Sequence, residues 1–408
     1  MGDNPRQMAR FAYRRDPDEE YRASTLELFY DLVFVFAITQ VTHLLLEHLT
    51  WLGAIQSLIA LLVVWWAWQF TTWATNELDP DAIPIRLLMI AIMMASLLMA
   101  VAIPEAFGDK GLLFALSYVA IQVGRHTFMT FVAADPGSLE RNRAAHILTW
   151  FSAGAVFWVA GGLAEGDARI VLWLIALAFD YGGPIVTYPV PWLTRVGMDA
   201  WSLGGTHFAE RFQLFTIIAL GETVVLTGAT TSGLDLDAAT ISAFSAAFFG
   251  TVCLWWLYFN YVSTTFEHLL IRAENRTIMA RDLYTFGHIP IIAGIMLCAV
   301  GDEIVIAHPN EYLKTPYLVA VVGGPVLYLL SFAPVRFRVT HGLPVKRVVG
   351  AAACIVVGVV AALTHISALA VSLLLVGILI TVVAVETVKP RRPPELTPEA
   401  VDEAAGPA

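Results

Sequence analysis

Apolar stretches of about 20 residues recur along the whole chain, each long enough to cross a hydrocarbon core roughly 30 Å thick. Their aromatic and β-branched residues do not alternate as they do in barrel strands, so the stretches are predicted to be helices. Only 14% of the chain is charged, whereas a soluble globular protein carries roughly 25%. The sequence therefore predicts an all-α polytopic membrane protein.

Twelve stretches are predicted as membrane spans, with approximate limits at 24–47, 51–75, 83–103, 111–133, 144–163, 168–188, 207–229, 236–263, 278–300, 316–333, 347–364 and 367–388. Lysine and arginine gather at one set of span ends, and the opposite set holds only Lys110, Arg169 and Lys314. Such clusters of positive charge mark the cytoplasmic side. Because twelve is even, both termini are predicted to be cytoplasmic, in a protein that crosses the plasma (cell inner) membrane many times.

The sequence predicts five regions. Residues 1–23 form a cytoplasmic N-terminal segment, residues 24–188 and 207–388 form two six-helix halves, and residues 389–408 form a disordered cytoplasmic tail. The loop at 189–206 joins the halves. It combines prolines with Trp192 and Trp201, which favours a linker lying at the membrane interface.

The two halves repeat one another. Residues 32–41 (LVFVFAITQV) align with residues 214–223 (LFTIIALGET), which places Gln40 over Glu222, and the Trp-Trp pair at 65–66 aligns with the pair at 255–256. Because each half has six helices, an even number, both halves enter the bilayer in the same orientation. The repeat is thus predicted to be parallel, related by an axis near the membrane normal, with a site between the halves.

Polar residues that point to function lie on the first span. Ser24 and Glu27 fit a capping box, in which the hydroxyl and the carboxylate satisfy free backbone donors at the helix start. Asp31 lies roughly 10 Å deep, beyond the reach of that role. An acid at that depth needs a cation, a water-filled cavity or a proton.

The seventh span carries the corresponding residues of the second half. Arg211 and Glu222 are three turns apart on one face, and Glu222 lies roughly 21 Å from the cytoplasmic end. Two interpretations of Glu222 stay open, a structural hydrogen bond by a protonated acid or a place in an ion, proton or substrate path. The predicted path consists of Asp31, Gln40, Glu210, Arg211 and Glu222.

A supporting polar cluster is predicted around this path, made of Glu27, His43, Arg125, Asp180, Asn260 and Arg281. Arg125 and Arg211 are the expected counter-ions of Asp31 and Asp180, which would make part of the cluster a static network. His43 and His288 are either proton relays or hydrogen-bonded packing residues. The tryptophans around Trp68 are predicted to pack in the core, with a ligand platform as the alternative.

The sequence contains no HExxH, GxSxG or Walker motif and no haem-attachment pattern. Cys253, Cys298 and Cys354 lie inside apolar spans without metal-ligand spacing, so buried packing is expected for them. No cofactor or metal is predicted. Catalysis is not indicated by any of these patterns, although the sequence leaves it open.

The segment from Leu26 to Ile38, with the residues His207 to Phe212 and Ile218 to Glu222, resembles the two signature motifs of the bacterial low-temperature-requirement A (LtrA) family. The resemblance covers residues 24–388 and implies the membrane fold, without a settled activity. A weaker similarity runs to potassium channels built from six-helix repeats, whose pore-lining first helix carries a Phe-Ser-Asp motif. Here Tyr30 replaces the serine, and the second half has Arg211-Phe212-Gln213 with no aspartate. The similarity implies that the first helix of each repeat lines a path.

Two classes of function are therefore weighed. The leading hypothesis is a transporter or channel for protons, cations or a small solute along the first helices of the two repeats. The alternative is a membrane-embedded enzyme or lipid-handling protein that uses the intramembrane His, Glu and Asp residues, and a purely structural membrane component is a third reading. The expected partners are the lipid bilayer and a small ion or solute, with no nucleic acid, and a homo-oligomer is compatible with the sequence.

Overall fold

A computed structural model describes residues 21–197, 203–340 and 342–388, with the side chains of 338–340 excepted. Regular structure in these residues is helical, apart from isolated bridges at Leu78 and between Tyr312 and Ser367. Most of the predicted N-terminal segment (1–20), the predicted tail (389–408) and residues 198–202 of the predicted linker lie outside the described residues.

The helices are α1 (Thr25–Glu47), α2 (Trp51–Glu77), α3 (Ile83–Ala102), α4 (Gly111–Phe128), α5 (Leu139–Leu163), α6 (Gly166–Ile185), α7 (Gly205–Ser232), α8 (Ala238–Leu257), α9 (Ser263–Arg272), α10 (Arg276–Ala280), α11 (Ile289–Ala307), α12 (Thr315–Leu330), α13 (Ala333–Thr340), α14 (Val345–Thr364) and α15 (Ala368–Val388). A 3₁₀ turn at Ile103–Glu105 extends α3. Wider π turns follow α4 at Met129–Ala133, join α8 to α9 at Tyr258–Val262 and follow α10 at Arg281–Phe286.

Eleven of the described helical stretches are long and apolar enough to cross a membrane: α1, α2, α3 with its 3₁₀ turn, α5, α6, α7, α8 through α9, α10 through α11, α12 with the start of α13, α14 and α15. The chain is therefore a multi-pass membrane protein. The remaining predicted span contains α4, which is helical but carries Gln122, Arg125 and His126 near its end and is less apolar than the others. A count of twelve spans stays a prediction.

The chain forms two compact units. The first unit consists of the chain through Leu44 together with Leu52–Arg211, and the second consists of Leu45–Trp51 and the chain from Phe212 onward. Helix α7 begins in the first unit and continues in the second, because the division falls at Arg211. The residues His207 and Arg211 therefore belong with the first unit.

Each unit has the same order of neighbouring helices. In the first unit α3, α4, α5 and α6 pack consecutively, and Tyr181 of α6 donates a hydrogen bond to the Leu62 carbonyl of α2 at 2.8 Å. In the second unit α11, α12, α14 and α15 pack consecutively, and α15 packs against α8. In each unit, then, the last of these four helices also contacts a helix from earlier in the chain, α2 for α6 and α8 for α15.

Close backbone approach holds α11 against α12 in the second unit. A Cβ atom built on Gly294 would lie 2.8 Å from the backbone nitrogen of Tyr328, and one on Gly324 would lie 2.6 Å from that of Cys298. Small residues allow helices in lipid to approach this closely and gain dispersion contacts. Cys253, Cys298 and Cys354 are buried and unbridged, as packing residues are expected to be.

Candidate functional site

Two acidic side chains of α1 lie one turn apart. Glu27 and Asp31 are buried, and the spacing of four residues places them on one helix face. The Ser24 backbone N–H and hydroxyl donate to Glu27 Oε2 at 2.8 and 2.9 Å, and the Glu27 N–H donates to Ser24 Oγ at 3.3 Å. The predicted capping box is present, and it occupies Oε2 of the carboxylate.

Arg211 of α7 pairs with both acids. Its Nη1 lies 2.9 Å from Glu27 Oε1, and its Nη2 donates to Asp31 Oδ1 at 2.5 Å. All three side chains are shielded from solvent almost completely. The sequence predicted that Arg211 pairs with an acid of another helix because an unpaired guanidinium in the membrane is too costly, and the structure has this pair.

His207 faces the same acids from the first turn of α7. Its Nε2 lies 3.1 Å from Glu27 Oε1. His207 and Arg211 are four residues apart, as Glu27 and Asp31 are, so two matching helix faces meet. Sequence reasoning did not assign His207 to the site, although this equal spacing within the two motifs is the signal that could have identified it.

Trp68 of α2 contacts the cluster as well. Its indole Nε1–H donates to Asp31 Oδ1 at 2.8 Å, so this oxygen accepts from Trp68 and from Arg211. The sequence prediction placed Trp68 in the core. The ring is indeed buried, and its N–H donates a hydrogen bond to the ionisable Asp31. A buried indole N–H usually has such an acceptor.

The other nitrogen of His207 faces α2. The Asn76 amide satisfies the Gly204 backbone when its nitrogen faces the Gly204 carbonyl oxygen and its oxygen faces the Gly204 N–H, both at 3.2 Å. In that orientation the amide nitrogen is the atom that lies 3.3 Å from His207 Nδ1. Nδ1 then accepts a hydrogen bond, and the ring proton resides on Nε2, directed at Glu27.

A second buried network in the first unit contains Asp180 and Arg125. Tyr118 and Trp158 donate to Asp180 Oδ2 at 2.8 and 3.0 Å, and Gln122 donates to the Tyr118 hydroxyl at 3.0 Å. Arg125 donates to Gln122 Oε1 and to Thr71 Oγ1, the latter at 2.9 Å. Arg125 is therefore connected to Asp180 through Gln122 and Tyr118. The sequence predicted a direct arginine counter-ion for Asp180.

The remaining residues of the predicted path occupy varied environments. Gln40 and His43 are half-buried on α1, and the half-buried Glu210 accepts a hydrogen bond from the Ala23 N–H at 3.1 Å. Glu222 is buried in the part of α7 that belongs to the second unit. The neighbouring Thr223 hydroxyl lies 2.8 Å from that of Thr251 on α8.

Three further candidates lie in the second unit. Asn260 is exposed, and the half-buried Arg281 pairs with Asp282 at 2.8 Å. His288 is buried, with Nε2 2.7 Å from the Tyr258 hydroxyl and Nδ1 3.0 Å from the Leu283 carbonyl oxygen. Since both of its nitrogens have partners, the geometry favours a packing role for His288 over a proton relay.

Side chains of α5 contact the segment that follows α6, which is part of the first unit. Nδ1 of His146 lies 2.7 Å from the Tyr188 carbonyl oxygen and its Nε2 3.0 Å from that of Thr194. Trp192 is exposed in this segment. Across the described ranges, no group of three or more His, Cys, Asp or Glu side chains is arranged to hold a metal ion.

Comparison with known proteins gives one family. Residues 22–384 match the family model described as bacterial low temperature requirement A protein (LtrA). An uncharacterised protein of Rhizobium meliloti (strain 1021) is 36% identical over 340 residues, which cover 83% of this chain and 82% of that protein. No solved structure matches the chain.

Proposed function

The chain belongs to the bacterial low temperature requirement A (LtrA) family, and we propose that it carries an ion or small solute across the membrane. The proposed path follows α1 and α7, the first helices of the two predicted repeats. It includes Asp31, Gln40, Glu210, Arg211 and Glu222.

The observation that supports this proposal is the buried group of Glu27, Asp31 and Arg211. Desolvating two carboxylates and a guanidinium costs several kcal/mol per ion, and apolar residues of similar volume could hold the helices together at a lower cost. Ionisable residues inside membrane spans are rare and usually mark the paths of ions, protons or substrates. Neither the capping box nor helix packing requires Asp31 at this position.

The proposed parallel repeat is supported by the shared order of neighbouring helices in the two units. If the units are related in this way, α1 and α7 are equivalent, and Gln40 corresponds to Glu222. The uneven distribution of lysine and arginine supports an orientation in the plasma membrane with both termini in the cytoplasm.

The proposal is tested with purified protein in liposomes, measuring flux of protons, potassium, sodium and small anions. We expect flux in the wild type and its loss in Asp31→Asn. The matched control is Glu77→Gln, because Glu77 is also a buried acid paired with an arginine, Arg143, but lies on α2. Absence of flux for every ion and pH gradient in well-folded wild-type protein would contradict the proposal. Equal loss of flux in both variants would assign Asp31 to folding alone.

A further inference from the structure

The acceptor atoms of the cluster are not equally satisfied. Glu27 Oε2 accepts from Ser24, and Glu27 Oε1 contacts Arg211 and His207. Asp31 Oδ1 accepts from Trp68 and Arg211. Asp31 Oδ2 is buried and has no hydrogen-bond partner among the residues that the structure describes. Glu27 Oε1 differs from it, because that oxygen is in ionic contact with Arg211 and His207 at 2.9 and 3.1 Å.

The charges of the cluster are also unequal. Glu27 and Asp31 contribute two negative charges, and Arg211 contributes one positive charge. His207 is neutral in the arrangement set by Gly204, because the Asn76 nitrogen faces its Nδ1. With both acids ionised, the cluster has one uncompensated negative charge away from water, which is strongly unfavourable.

We infer that Asp31 Oδ2 binds one exchangeable proton. Binding forms an O–H bond and converts the carboxylate to a neutral carboxylic acid, while Arg211 stays protonated and balances Glu27. Release of the proton restores the carboxylate and the charge imbalance. The inference rests on the proposed transport function and names its substrate class, which is the proton.

A metal cation fits this position poorly. Hard cations require several oxygen ligands at once, whereas Oδ2 is a single oxygen, and no metal-binding group of three or more acidic, His or Cys side chains occurs in the described part of the chain. In addition, the Arg211 guanidinium contacts the other oxygen of the same carboxylate and would repel a second cation. A proton needs one oxygen and leaves the site neutral.

The groups that surround Asp31 come from α1, α2 and α7, and a further cation nearby lies on α4. Glu27 and Tyr30 lie on α1 itself, His207 and Arg211 lie on α7, and α2 supplies the uncharged Trp68. Arg125 of α4 interacts electrostatically with Tyr30, and its guanidinium donates hydrogen bonds to Gln122 and Thr71. Arg211 is therefore the cation in direct contact with both acids, and a proton on Asp31 restores neutrality.

The test is infrared difference spectroscopy of the reconstituted protein during steps of pH, with and without ¹³C in the side-chain carboxyl groups of aspartate. A protonated carboxylic acid gives its own C=O band, and the label shifts that band only if it belongs to aspartate. We expect a shifted component that grows and decays reversibly with pH and is absent from Asp31→Asn. Asp180, buried in the separate Tyr118 and Trp158 network, serves as the internal control, and its component should persist in that variant.

Two results would overturn the inference. One is a labelled spectrum of Asp31→Asn that is the same as that of the wild type, and the other is a reversible component that the aspartate label does not shift, which would place the proton on a glutamate such as Glu27. If Asp31→Asn does not fold, Asp180→Asn still tests the inference, because absence of any titrating labelled component in that variant would overturn it. Protonation of Asp31 without flux would contradict only the transport function, whereas flux without it would contradict only the inference.

Discussion

Removing the guanidinium from the cluster should be among the most destabilising single changes in the first unit. Arg211→Met keeps most of the side-chain volume but leaves Glu27 and Asp31 buried without a cation. Breaking one buried ion pair costs about 3–5 kcal/mol, because a charge remains that nothing compensates. Since Arg211 pairs with two acids, we expect Arg211→Met to lower the free energy of unfolding by about 5 kcal/mol. This free energy is measured by denaturant titration in detergent micelles.

A compensated variant separates charge from packing. When Glu27→Gln and Asp31→Asn are added to Arg211→Met, no charge is left to desolvate, and neutral replacement of buried ion groups is often nearly without cost. We expect the triple variant to lie within about 2 kcal/mol of the wild type. The control is Arg86→Met, because the pair of Arg86 with Asp81 is just as close at 2.6 Å but is exposed, and such pairs contribute about 0–1 kcal/mol.

The reasoning would be refuted by either of two results. A loss below about 1 kcal/mol in Arg211→Met, similar to that of an exposed pair, would mean that the cluster is not desolvated. A triple variant as unstable as Arg211→Met would mean that the loss comes from packing of the arginine stem rather than from charge.

Three further outcomes follow from the same structure. Trp68→Phe should cost about 1.5–3 kcal/mol of unfolding free energy when Asp31 is ionised, because it removes a hydrogen bond to that carboxylate. Gly324→Ala should lower the same quantity by about 1–3 kcal/mol, since its Cβ would meet backbone, while Gly323→Ala, facing only the flexible tip of a leucine, should cost less. Glu222→Gln should preserve expression and assembly while abolishing ion flux or its pH dependence in liposomes, and unchanged flux would assign Glu222 to packing.

The pairing of Arg211 with Asp31 could be predicted because a charged residue deep in a membrane span needs an oppositely charged partner. The position of a charged residue along an apolar helix gives its distance from water, and the cost of leaving it unpaired is large at that depth. Few opposite charges lie at a similar depth, so the choice of partner is narrow. The same argument could not predict that one arginine would serve two acids, because Glu27 already had an ordinary structural role at the helix start.

The role of Trp68 could not be predicted for a different physical reason. An indole is mostly apolar, so a tryptophan fits the apolar pattern of a buried helix whether or not its N–H has a particular partner. The contact with Asp31 depends on the rotation of α2 about its own axis, and tertiary packing sets that rotation. The link from Arg125 to Asp180 was missed similarly, because Gln122 and Tyr118 occupy the space where a direct ion pair was expected.

The breaks within the later spans had no clear sequence signal either. The π turns at Tyr258–Val262 and Arg281–Phe286 occur without an internal proline or glycine. Such turns arise when one extra residue is accommodated in the helical ladder, often near functional sites. An apolar pattern with a period of 3.6 shows that a helix is present, but a one-residue shift in that period lies within the tolerance of the pattern.

Glu27 has two roles at once, one in the helix cap and one in the buried charged cluster. Its Oε2 accepts from Ser24 and fixes the first turn of α1, while its Oε1 contacts Arg211 and His207. The same carboxylate therefore sets the start of the helix and positions the cation that binds Asp31. Arg211 contacts both Asp31 and Glu27, so the proposed proton site and the cap at the start of α1 are coupled through one guanidinium. This coupling gives protonation of Asp31 a physical route to the first turn of the helix, one turn away.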